Sequence, residues 1–381
     1  MAQNLITIRK IRLLFFVAIM VTSFGCAKKS FYLFTGTYTS TGSKGIYVYK
    51  FNEGSGNVSW VSNTDGVINP SYLTVSGNYV YAVNETNGVN PGRVSAFSFN
   101  KKDGKLSFLN TQFTGGDDPC YVSATADGKW ITVANYSGGS ASIFPVNKDG
   151  SLQPYSQLIQ HSGSSVNKNR QEKPHVHETV FSPGDDYVMM PDLGLDKVMI
   201  YKMNPSSKTP LKAASPSYVA ITPGSGPRHI TFSPDKKYSY LINEMSEIIN
   251  AYSYNDGKFA LIQEISALPQ GYSGAIDGAE IVVSPDGKFL YASYRGNQNL
   301  ITIFSIDANS GKLKLEGHQS TLGKAPRSFI VDPTGNYLLV ANQNSDNIVI
   351  FKRDKQTGLL KATGKEIKVP KPVCLEMVPL K

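Results

Sequence analysis

Histidine, glutamate and arginine residues recur at matching points along this chain, a combination that can move protons and bind anions. Imidazoles and carboxylates are the usual general acids and bases, while a guanidinium binds a carboxylate or phosphate in forked geometry. The candidate residues are Asn135, His175, His177, Asp192, Arg228, His229, Glu244, Glu280, Arg295 and Arg327. They are scattered over much of the chain, so they form one site only if the fold gathers them.

The elements that can gather them are repeats of one pattern. Each copy contains a short apolar strand, a turn of the type Pro-Asp-Gly-Lys, a second strand and then a polar residue. The copies span residues 69–85, 118–136, 174–194, 226–244, 278–296 and 325–343. Their starts recur at intervals of roughly 50 residues, which is typical of β-propeller blades.

The two ends of the chain supply one further repeat. Residues 372–379 resemble the first strand of a repeat, and residues 31–40 and 45–52 resemble the later strands of a repeat that lacks its first. Joining the ends completes a blade and closes the ring, which removes exposed sheet edges. We therefore predict an all-β fold, a seven-bladed β-propeller closed by pairing of its N- and C-terminal strands in one shared blade. A single propeller domain is expected over residues 31–381.

This architecture brings the candidate residues to one mouth of the central channel. The first strand of a blade lines the channel and runs antiparallel to the second, so the start of the first and the end of the second lie on the same rim. First-strand starts carry His175, His177, Arg228, His229, Glu280 and Arg327, and second-strand ends carry Asn135, Asp192, Glu244 and Arg295. An ordinary solvated rim would not concentrate these residue types, so the pattern predicts a functional site.

The first residues have the composition of an export signal. A basic segment precedes a short apolar run over residues 13–21, and small residues follow. Gly25 directly before Cys26 resembles the bacterial lipobox, with a plain signal peptide cut nearby as the alternative. We predict a lipoprotein signal peptide over residues 1–25, lipidation of Cys26 and a polar tether over residues 26–30. The protein is then exported and held at the membrane by its lipid alone, in the periplasm or on the cell surface.

Charge and cysteine usage exclude several classes of protein. The net charge is +9, but there is no basic run of the kind found in nucleic-acid-binding tails, so a small anionic molecule is the simpler partner. Zinc-type Cys/His spacings are absent from the sequence, and we expect neither a metal nor another cofactor. Cys120 and Cys374 are expected to be buried free thiols, with a disulfide between them as the alternative. The sequence does not determine the oligomeric state.

Many of the candidate residues stand within short motifs that resemble the propeller-type lactonase family. This family includes bacterial 6-phosphogluconolactonases and fungal carboxy-muconate cyclases. The motifs are Gly36-Thr37-Tyr38, Ala134-Asn135-Tyr136, Arg170-Gln171-Glu172, His175-Val176-His177, Asp192-Leu193-Gly194, Gly226-Pro227-Arg228-His229, Asn243-Glu244, Ala279-Glu280, Arg295-Gly296 and Pro326-Arg327. The resemblance extends from residue 31 to the end of the chain.

The resemblance implies a hydrolase that opens a sugar lactone, an aldono- or phosphoaldonolactone, without a metal. Such a carboxylic-ester hydrolase needs a base for the attacking water and donors for the oxyanion. His175, His177, Arg228 and Glu244 are the expected catalytic residues, and the other six candidates are expected to bind the substrate. A glutamate among three arginines is a weak base, so we expect a histidine base, with Glu244 orienting it or the water. Of the two histidines, His175 is expected nearer to the axis.

Other interpretations of the same residues stay open from the sequence. The rim of an exported propeller also suits a non-catalytic protein that binds a carbohydrate or protein partner, and the cyclase relatives suggest reversible cyclisation. Arg228 and Glu244 also suit a salt bridge within one blade, and the asparagines suit backbone contacts at turns. His161 and His318 follow no repeat position and are expected on the surface. The nearby arginines argue against calcium at the rim oxygens.

Overall fold

Seven four-stranded antiparallel sheets stand as blades around a channel in the computed structural model, which describes residues 30–40 and 42–380. Strands and turns make up this part of the chain. Valine, isoleucine, tyrosine and phenylalanine are frequent in the strands, because these side chains pack well on a pleated sheet. The predicted all-β, seven-bladed architecture is confirmed.

The strands of each blade follow one another outwards from the channel, except that blade 1 takes its inner strand from the end of the chain. Blade 1 contains β28 (Pro372–Pro379), β1 (Ser30–Thr37), β2 (Ile46–Asn52) and β3 (Asn57–Thr64). Blade 2 contains β4 (Leu73–Ser76), β5 (Tyr79–Asn84), β6 (Arg93–Asn100) and β7 (Lys105–Phe113). Blade 3 contains β8 (Pro119–Ala124), β9 (Trp130–Asn135), β10 (Ser140–Pro145) and β11 (Gln157–Gln160).

The remaining four blades keep the same order. Blade 4 contains β12 (Val180–Phe181), β13 (Tyr187–Asp192), β14 (Lys197–Met203) and β15 (Leu211–Ala220). Blade 5 contains β16 (Pro227–Phe232), β17 (Tyr238–Asn243), β18 (Ile248–Asn255) and β19 (Lys258–Ser266). Blade 6 contains β20 (Gly278–Val283), β21 (Phe289–Tyr294), β22 (Leu300–Ile306) and β23 (Leu313–Ser320). Blade 7 contains β24 (Pro326–Val331), β25 (Tyr337–Asn342), β26 (Asn347–Arg353) and β27 (Leu360–Lys368).

The hydrophobic core lies between the faces of neighbouring blades. Tyr240 and Ile242 of blade 5, for example, pack in one cluster with Leu290 and Ala292 of blade 6. The second strand of each blade is almost entirely buried, whereas an outermost strand such as β19 alternates between exposed and half-buried residues. Apolar burial between blades therefore holds the ring together and fixes the positions of the inner strands.

The ring closes through the shared blade, as predicted. The inner strand β28 pairs antiparallel with β1, in a register that runs from Phe31 opposite Pro379 to Thr37 opposite Pro372. This pairing places the start of β28 and the end of β1 on the same rim as the mouth. Blade 1 therefore contributes to the mouth in the same way as the contiguous blades.

A β-bulge marks the start of the inner strand in blades 1, 3, 5, 6 and 7. The register with the second strand shifts between Pro372 and Cys374, between Pro119 and Tyr121, between Pro227 and His229, between Gly278 and Ile281, and between Pro326 and Ser328. A bulge sets two residues opposite one on the neighbouring strand. Consecutive residues can therefore both face the channel at this height, where a regular strand would turn one of them away.

Cys120 and Cys374 are buried free thiols, as predicted, and do not form a disulfide.

The predicted signal peptide and Cys26 lie outside the described residues, as does the tether up to residue 29. Within the described ranges, no helix is long and apolar enough to cross a membrane.

Buried tyrosine hydroxyls tie several blades to the next one. Each donates a hydrogen bond of 2.7–3.1 Å to a main-chain carbonyl in an outer turn of the following blade. The pairs are Tyr32 with Lys101, Tyr81 with Gly150, Tyr240 with Gly311 and Tyr291 with Gly358. These bonds satisfy carbonyls at the blade boundary and add directional contacts to the apolar packing.

Replacing Tyr240 by phenylalanine leaves the Gly311 carbonyl without its donor. We expect the free energy of unfolding to fall by about 1–2 kcal/mol, because a partly enclosed carbonyl loses its partner. Urea unfolding followed by circular dichroism measures the change. Tyr155→Phe, which removes an exposed hydroxyl, is the matched control. Equal stability of wild type and Tyr240→Phe would contradict a stabilising role for these bonds.

Candidate active site

The carboxylate of Glu244, directly after β17, stands at the centre of the mouth. Its Oε2 lies 3.1 Å from Arg228 Nε and 3.1 Å from Arg295 Nη2, and Arg170 forms an ion pair with Oε1. Burial alone would raise the pKa of Glu244, but Arg295, Arg228 and Arg170 outweigh it and lower the pKa to about 2. Glu244 is therefore a carboxylate at neutral pH.

Two of these arginines, one from blade 5 and one from blade 6, are fixed by contacts with residues at the start of the inner strand of blade 6. Arg228 lies on the bulge of β16 and donates to the Ala279 carbonyl at 2.5 Å. Arg295 follows β21 and forms an ion pair with Asp277 at 2.5 Å. Burial and the charges of Arg295 and Arg327 lower the pKa of Arg228 to about 10, so it stays cationic at neutral pH.

The third arginine comes from the long loop over residues 161–174. Gln171 is buried and donates to the Leu193 carbonyl at 2.9 Å, which fixes the end of this loop. Arg170 Nη2 lies within hydrogen-bond distance of both Glu244 and Tyr136 Oη, the latter at 3.3 Å. Arg170 and Tyr136 were not among the predicted site residues, although both stand in the motifs quoted above.

His177 is the histidine that lies beside Glu244. Its Nε2 is 3.9 Å from Glu244 Oε2, and its ring packs edge-on against those of Tyr136 and His229 at 5.4 and 5.1 Å between centroids. Burial lowers the pKa of His177 well below its usual value, and the charges of Arg228 and His229 lower it further. The imidazole is therefore neutral at neutral pH.

His175 is displaced from the axis, so the expectation that it lies nearer than His177 is wrong. Its ring stacks on Tyr136 of blade 3 at 4.6 Å, and its Nε2 is 3.2 Å from Glu172 Oε1. The regular strand β12 begins only at Val180, so the histidines are not held by strand alternation. Stacking on the neighbouring blade decides where His175 points.

His229 and Glu280 form a second buried pair at the floor of the mouth. His229 Nδ1 lies 2.9 Å from Glu280 Oε1, and His229 Nε2 lies 3.3 Å from Arg228 Nη1. Burial lowers the pKa of His229, Glu280 opposes this effect and Arg228 adds to it, which leaves the pKa at about 4. The structure thus places His229 and Glu280 with the other mouth residues, and His229 is neutral at neutral pH.

Arg327 is the mouth arginine that does not contact Glu244. Its guanidinium lies over the ring of Tyr38 at 5.6 Å, and Tyr38 donates to Glu85 at 2.8 Å. Burial would lower the pKa of Arg327, but Tyr38 and Glu85 raise it above its ordinary value. Since Arg327 forms none of the ion pairs found among the described residues, its charge is available to an anionic group.

The asparagines at the second-strand ends face into their blades, which corrects the prediction that Asn135 binds substrate. Asn135 is fully enclosed, and its Nδ2 lies 3.1 Å from Ser140 Oγ and 3.4 Å from the Thr114 carbonyl. The last residue of each second strand points towards the blade interior. The residue after it turns to the mouth, as Tyr136 and Glu244 do.

Asp192 is also enclosed within its blade, so the prediction that it binds substrate is corrected as well. Its Oδ1 accepts from the backbone of His175 at 2.8 Å, and its Oδ2 lies 2.7 Å from His161 Nδ1. His161 in turn lies 3.1 Å from Tyr201 Oη and is buried, so its expected surface position is wrong. Asp192 therefore fixes the backbone at His175 through hydrogen bonds and is not placed to contact a ligand.

Deeper in the channel a cavity of about 230 Å³ is lined partly by acidic and tyrosine side chains. Burial raises the pKa of Glu178 well above its usual value, and burial with the charge of Glu280 raises that of Glu376 to about 8. Glu376 is therefore largely protonated at neutral pH, and the raised pKa of Glu178 also favours its neutral form, so these carboxyls offset less of the positive charge of the mouth than two ordinary glutamates would. No group of three or more metal-binding side chains is arranged to hold an ion within the described part of the chain.

Comparison with known proteins relates this chain to one family. Residues 32–377 match the family model described as lactonase, 7-bladed beta-propeller. A 6-phosphogluconolactonase of Formosa agariphila is 38% identical, with 91% of this chain and 99% of the relative covered. A 6-phosphogluconolactonase of Bacillus subtilis is 37% identical, with 91% and 97% covered. These matches include the whole ring of blades.

A comparison with a solved structure supports the same family relationship. The periplasmic gluconolactonase of Pseudomonas aeruginosa superposes with a TM-score of 0.88 at 36% identity. The superposition covers 92% of this chain and all of that chain. The likeness therefore extends to the fold as well as to the sequence.

Replacing Glu244 by glutamine tests the electrostatic balance of the mouth. The pKa of Glu244 falls from the ordinary 4.5 to about 2 in the folded protein, so its ionisation stabilises the fold by about 3 kcal/mol above pH 4.5. This contribution is lost as the pH falls from 4.5 towards 2. We expect Glu244→Gln to be less stable than wild type at pH 7, with the difference shrinking towards pH 3.

Urea unfolding at several pH values measures this difference. Glu264→Gln, on the outer strand β19, is the control for losing an exposed carboxylate. A stability difference that stays the same between pH 7 and pH 3 would contradict the lowered pKa.

Proposed function

Since the chain belongs to the seven-bladed β-propeller lactonase family, we propose that it hydrolyses the lactone of a sugar acid. One observation carries the proposal: a buried neutral histidine, His177, lies beside a carboxylate, Glu244, that is surrounded by three arginines. Such a site supplies a base for water and positive charge for an oxyanion. The reaction class is that of a carboxylic-ester hydrolase.

His177 acts as the base in this proposal. A neutral imidazole accepts a proton from water, whereas Glu244 is too acidic to do so efficiently. The Glu244 carboxylate instead orients the ring of His177 and stabilises the imidazolium that forms. His175 has a supporting role, since it packs against Tyr136, which also contacts His177.

Arg228 and Arg295 stabilise the oxyanion that develops on the lactone carbonyl. Both are cations held rigidly by main-chain or carboxylate partners, so little reorganisation is needed when the charge appears. The tetrahedral intermediate then collapses, the ring C–O bond breaks, and the ring oxygen takes the proton from His177. These steps use side chains of this chain alone, so we propose a reaction without a metal.

Arg327 binds an anionic group of the substrate, because its charge is not used in an ion pair within the mouth. A phosphate or carboxylate fits its forked donors. The two relatives quoted above are named 6-phosphogluconolactonases, which supports a phosphoaldonolactone. An exported enzyme would instead meet an unphosphorylated aldonolactone or a uronate lactone.

We propose an exported, membrane-anchored location with lipidation at Cys26. The basic segment, the apolar run and the Gly25-Cys26 pair support export. The Pseudomonas aeruginosa relative is named a periplasmic gluconolactonase. Metabolic labelling with a fatty-acid analogue tests this proposal, since Cys26→Ala should abolish incorporation.

Initial rates of lactone opening by the purified full-length chain test the function. The panel contains 6-phosphogluconolactone, gluconolactone, galactonolactone and a glucuronolactone, with spontaneous opening subtracted. We expect turnover of at least one member, and a loss of about 10²–10⁴-fold in His177→Gln because general-base catalysis is removed. Arg327→Gln should raise KM for the anionic members selectively.

His318→Gln is the matched control, because His318 lies on the outer strand β23, away from the mouth. Thermal unfolding of each variant separates loss of chemistry from loss of structure. If no lactone opens faster than background, with or without added calcium, the non-catalytic alternative replaces the enzyme and the mouth should be screened for carbohydrate ligands.

The pH dependence of kcat/KM tests the protonation state of the base. Because the pKa of His177 lies well below 6.5 in the folded protein, the neutral form persists at more acidic pH than for an ordinary histidine. We expect the acid limb of the profile below pH 6.5, with spontaneous opening subtracted at each pH. An acid limb centred at or above pH 6.5 would speak against His177 as the base.

A further inference from the structure

A small cavity lies at the floor of the mouth, where two buried polar atoms are without partners. It has a volume of about 10 Å³, and its lining includes Ser71, His177, Arg228, His229 and Arg327. Four of these five residues also form the mouth, so the cavity is part of the same site. Ser71 was not among the predicted site residues.

The unpartnered atoms are Ser71 Oγ and His177 Nδ1. Their residues are 2% and 4% exposed, and neither atom has a hydrogen-bond partner in the described part of the chain. Buried polar groups of this kind are normally satisfied by protein or by ordered water. A cavity of about 10–15 Å³ with two or more polar partners is large enough for one water molecule.

The repeat explains why Ser71 reaches this position. Ser71 follows Pro70 before the inner strand of blade 2, as Arg228 follows Pro227 and Arg327 follows Pro326. It therefore occupies the same repeat position as two arginines of the mouth. A small hydroxyl there leaves space that a long side chain would fill.

The tautomer of His177 determines which of its nitrogens can accept a proton. Nε2 lies 3.9 Å from Glu244 Oε2, and a neighbouring carboxylate favours the tautomer with the proton on Nε2. The lone pair is then on Nδ1, the nitrogen that has no partner in the described part of the chain. A water molecule there can donate one hydrogen to Nδ1 and bond Ser71 Oγ as well.

We propose that this cavity holds the attacking water, with Ser71 as its positioning residue and His177 Nδ1 as the atom that accepts its proton. The inference rests on the proposed lactonase function. The water oxygen bonds to the lactone carbonyl carbon while its proton passes to Nδ1. When the ring C–O bond breaks, the ring oxygen takes this proton, so one lactone and one water give one hydroxy acid.

Substitution of Ser71 tests the proposal in the full-length chain. Ser71→Val fills the cavity with two methyl groups, and we expect kcat to fall about a hundredfold, as for a reacting group misplaced by about 1 Å. Ser71→Ala removes the hydroxyl alone, and we expect a fall of about tenfold in kcat. KM should change less than about threefold in both, because the substrate contacts remain.

Ser239→Ala is the matched control, because its hydroxyl is also buried and unpartnered but lies outside the cavity lining. It should keep the wild-type kcat and KM. Wild-type kcat in a folded Ser71→Ala variant would overturn the proposal, and so would equal falls in kcat for Ser71→Ala and Ser239→Ala. If Ser71→Val does not fold, Ser71→Ala alone decides.

Two measurements test the water independently of turnover. A high-resolution crystal structure should show density about 3 Å from both Ser71 Oγ and His177 Nδ1, and this density should disappear in Ser71→Val. Nitrogen-15 NMR, assigned by comparison with His177→Gln, should show the proton on Nε2. Absent density or a proton on Nδ1 would overturn the inference while leaving the lactonase function standing. A wild-type protein that opens no lactone would overturn both the function and the role of this water.

Discussion

The β-bulge at the start of the inner strands is the constraint on which the mouth depends. A regular strand turns alternate side chains to opposite faces, so Arg228 and His229 would not line one cavity without it. The residue before the inner strand adopts a left-handed conformation in several blades, with φ of 50° at Asp118, 56° at Ala325 and 43° at Lys371. This backbone turn, repeated around the ring, brings enough side chains to the axis to build a site.

The protonation states of the mouth residues depend on how closely these bulges bring the charged side chains together. Burial at the axis opposes protonation of His177 and His229, and the positive charge of Arg228 acts in the same direction. The Glu244 carboxylate offsets part of this positive charge and so allows three guanidiniums to approach one another. The mouth thus combines neutral bases with a net positive field, a combination that water-exposed side chains would not maintain.

The repeat made most of the fold predictable. The strand and turn pattern led to seven blades and to the shared blade, and the rim argument brought His177, Arg228, His229, Glu244, Glu280, Arg295 and Arg327 together. Three features were missed for physical reasons. The order of His175 and His177 depends on stacking with another blade, and the mouth-facing position is one residue beyond the asparagines because the chain turns there. Arg170 comes from a loop without periodicity, so no repeat position identifies it.

The shared blade also places the two ends of the described chain next to each other. Leu380 donates to the Ser30 carbonyl at 3.1 Å, and β1 runs from there across the disc to Tyr38 at the mouth. The ends therefore lie on the face opposite the mouth, about 25 Å away for a strand of this length. A short linker can join them in a circular permutant, with new ends opened in an exposed outer turn such as that after Met203, which accepts none of the tyrosine bonds described above. For the same reason, a fusion partner or a solid support attached at either end leaves the mouth facing outwards.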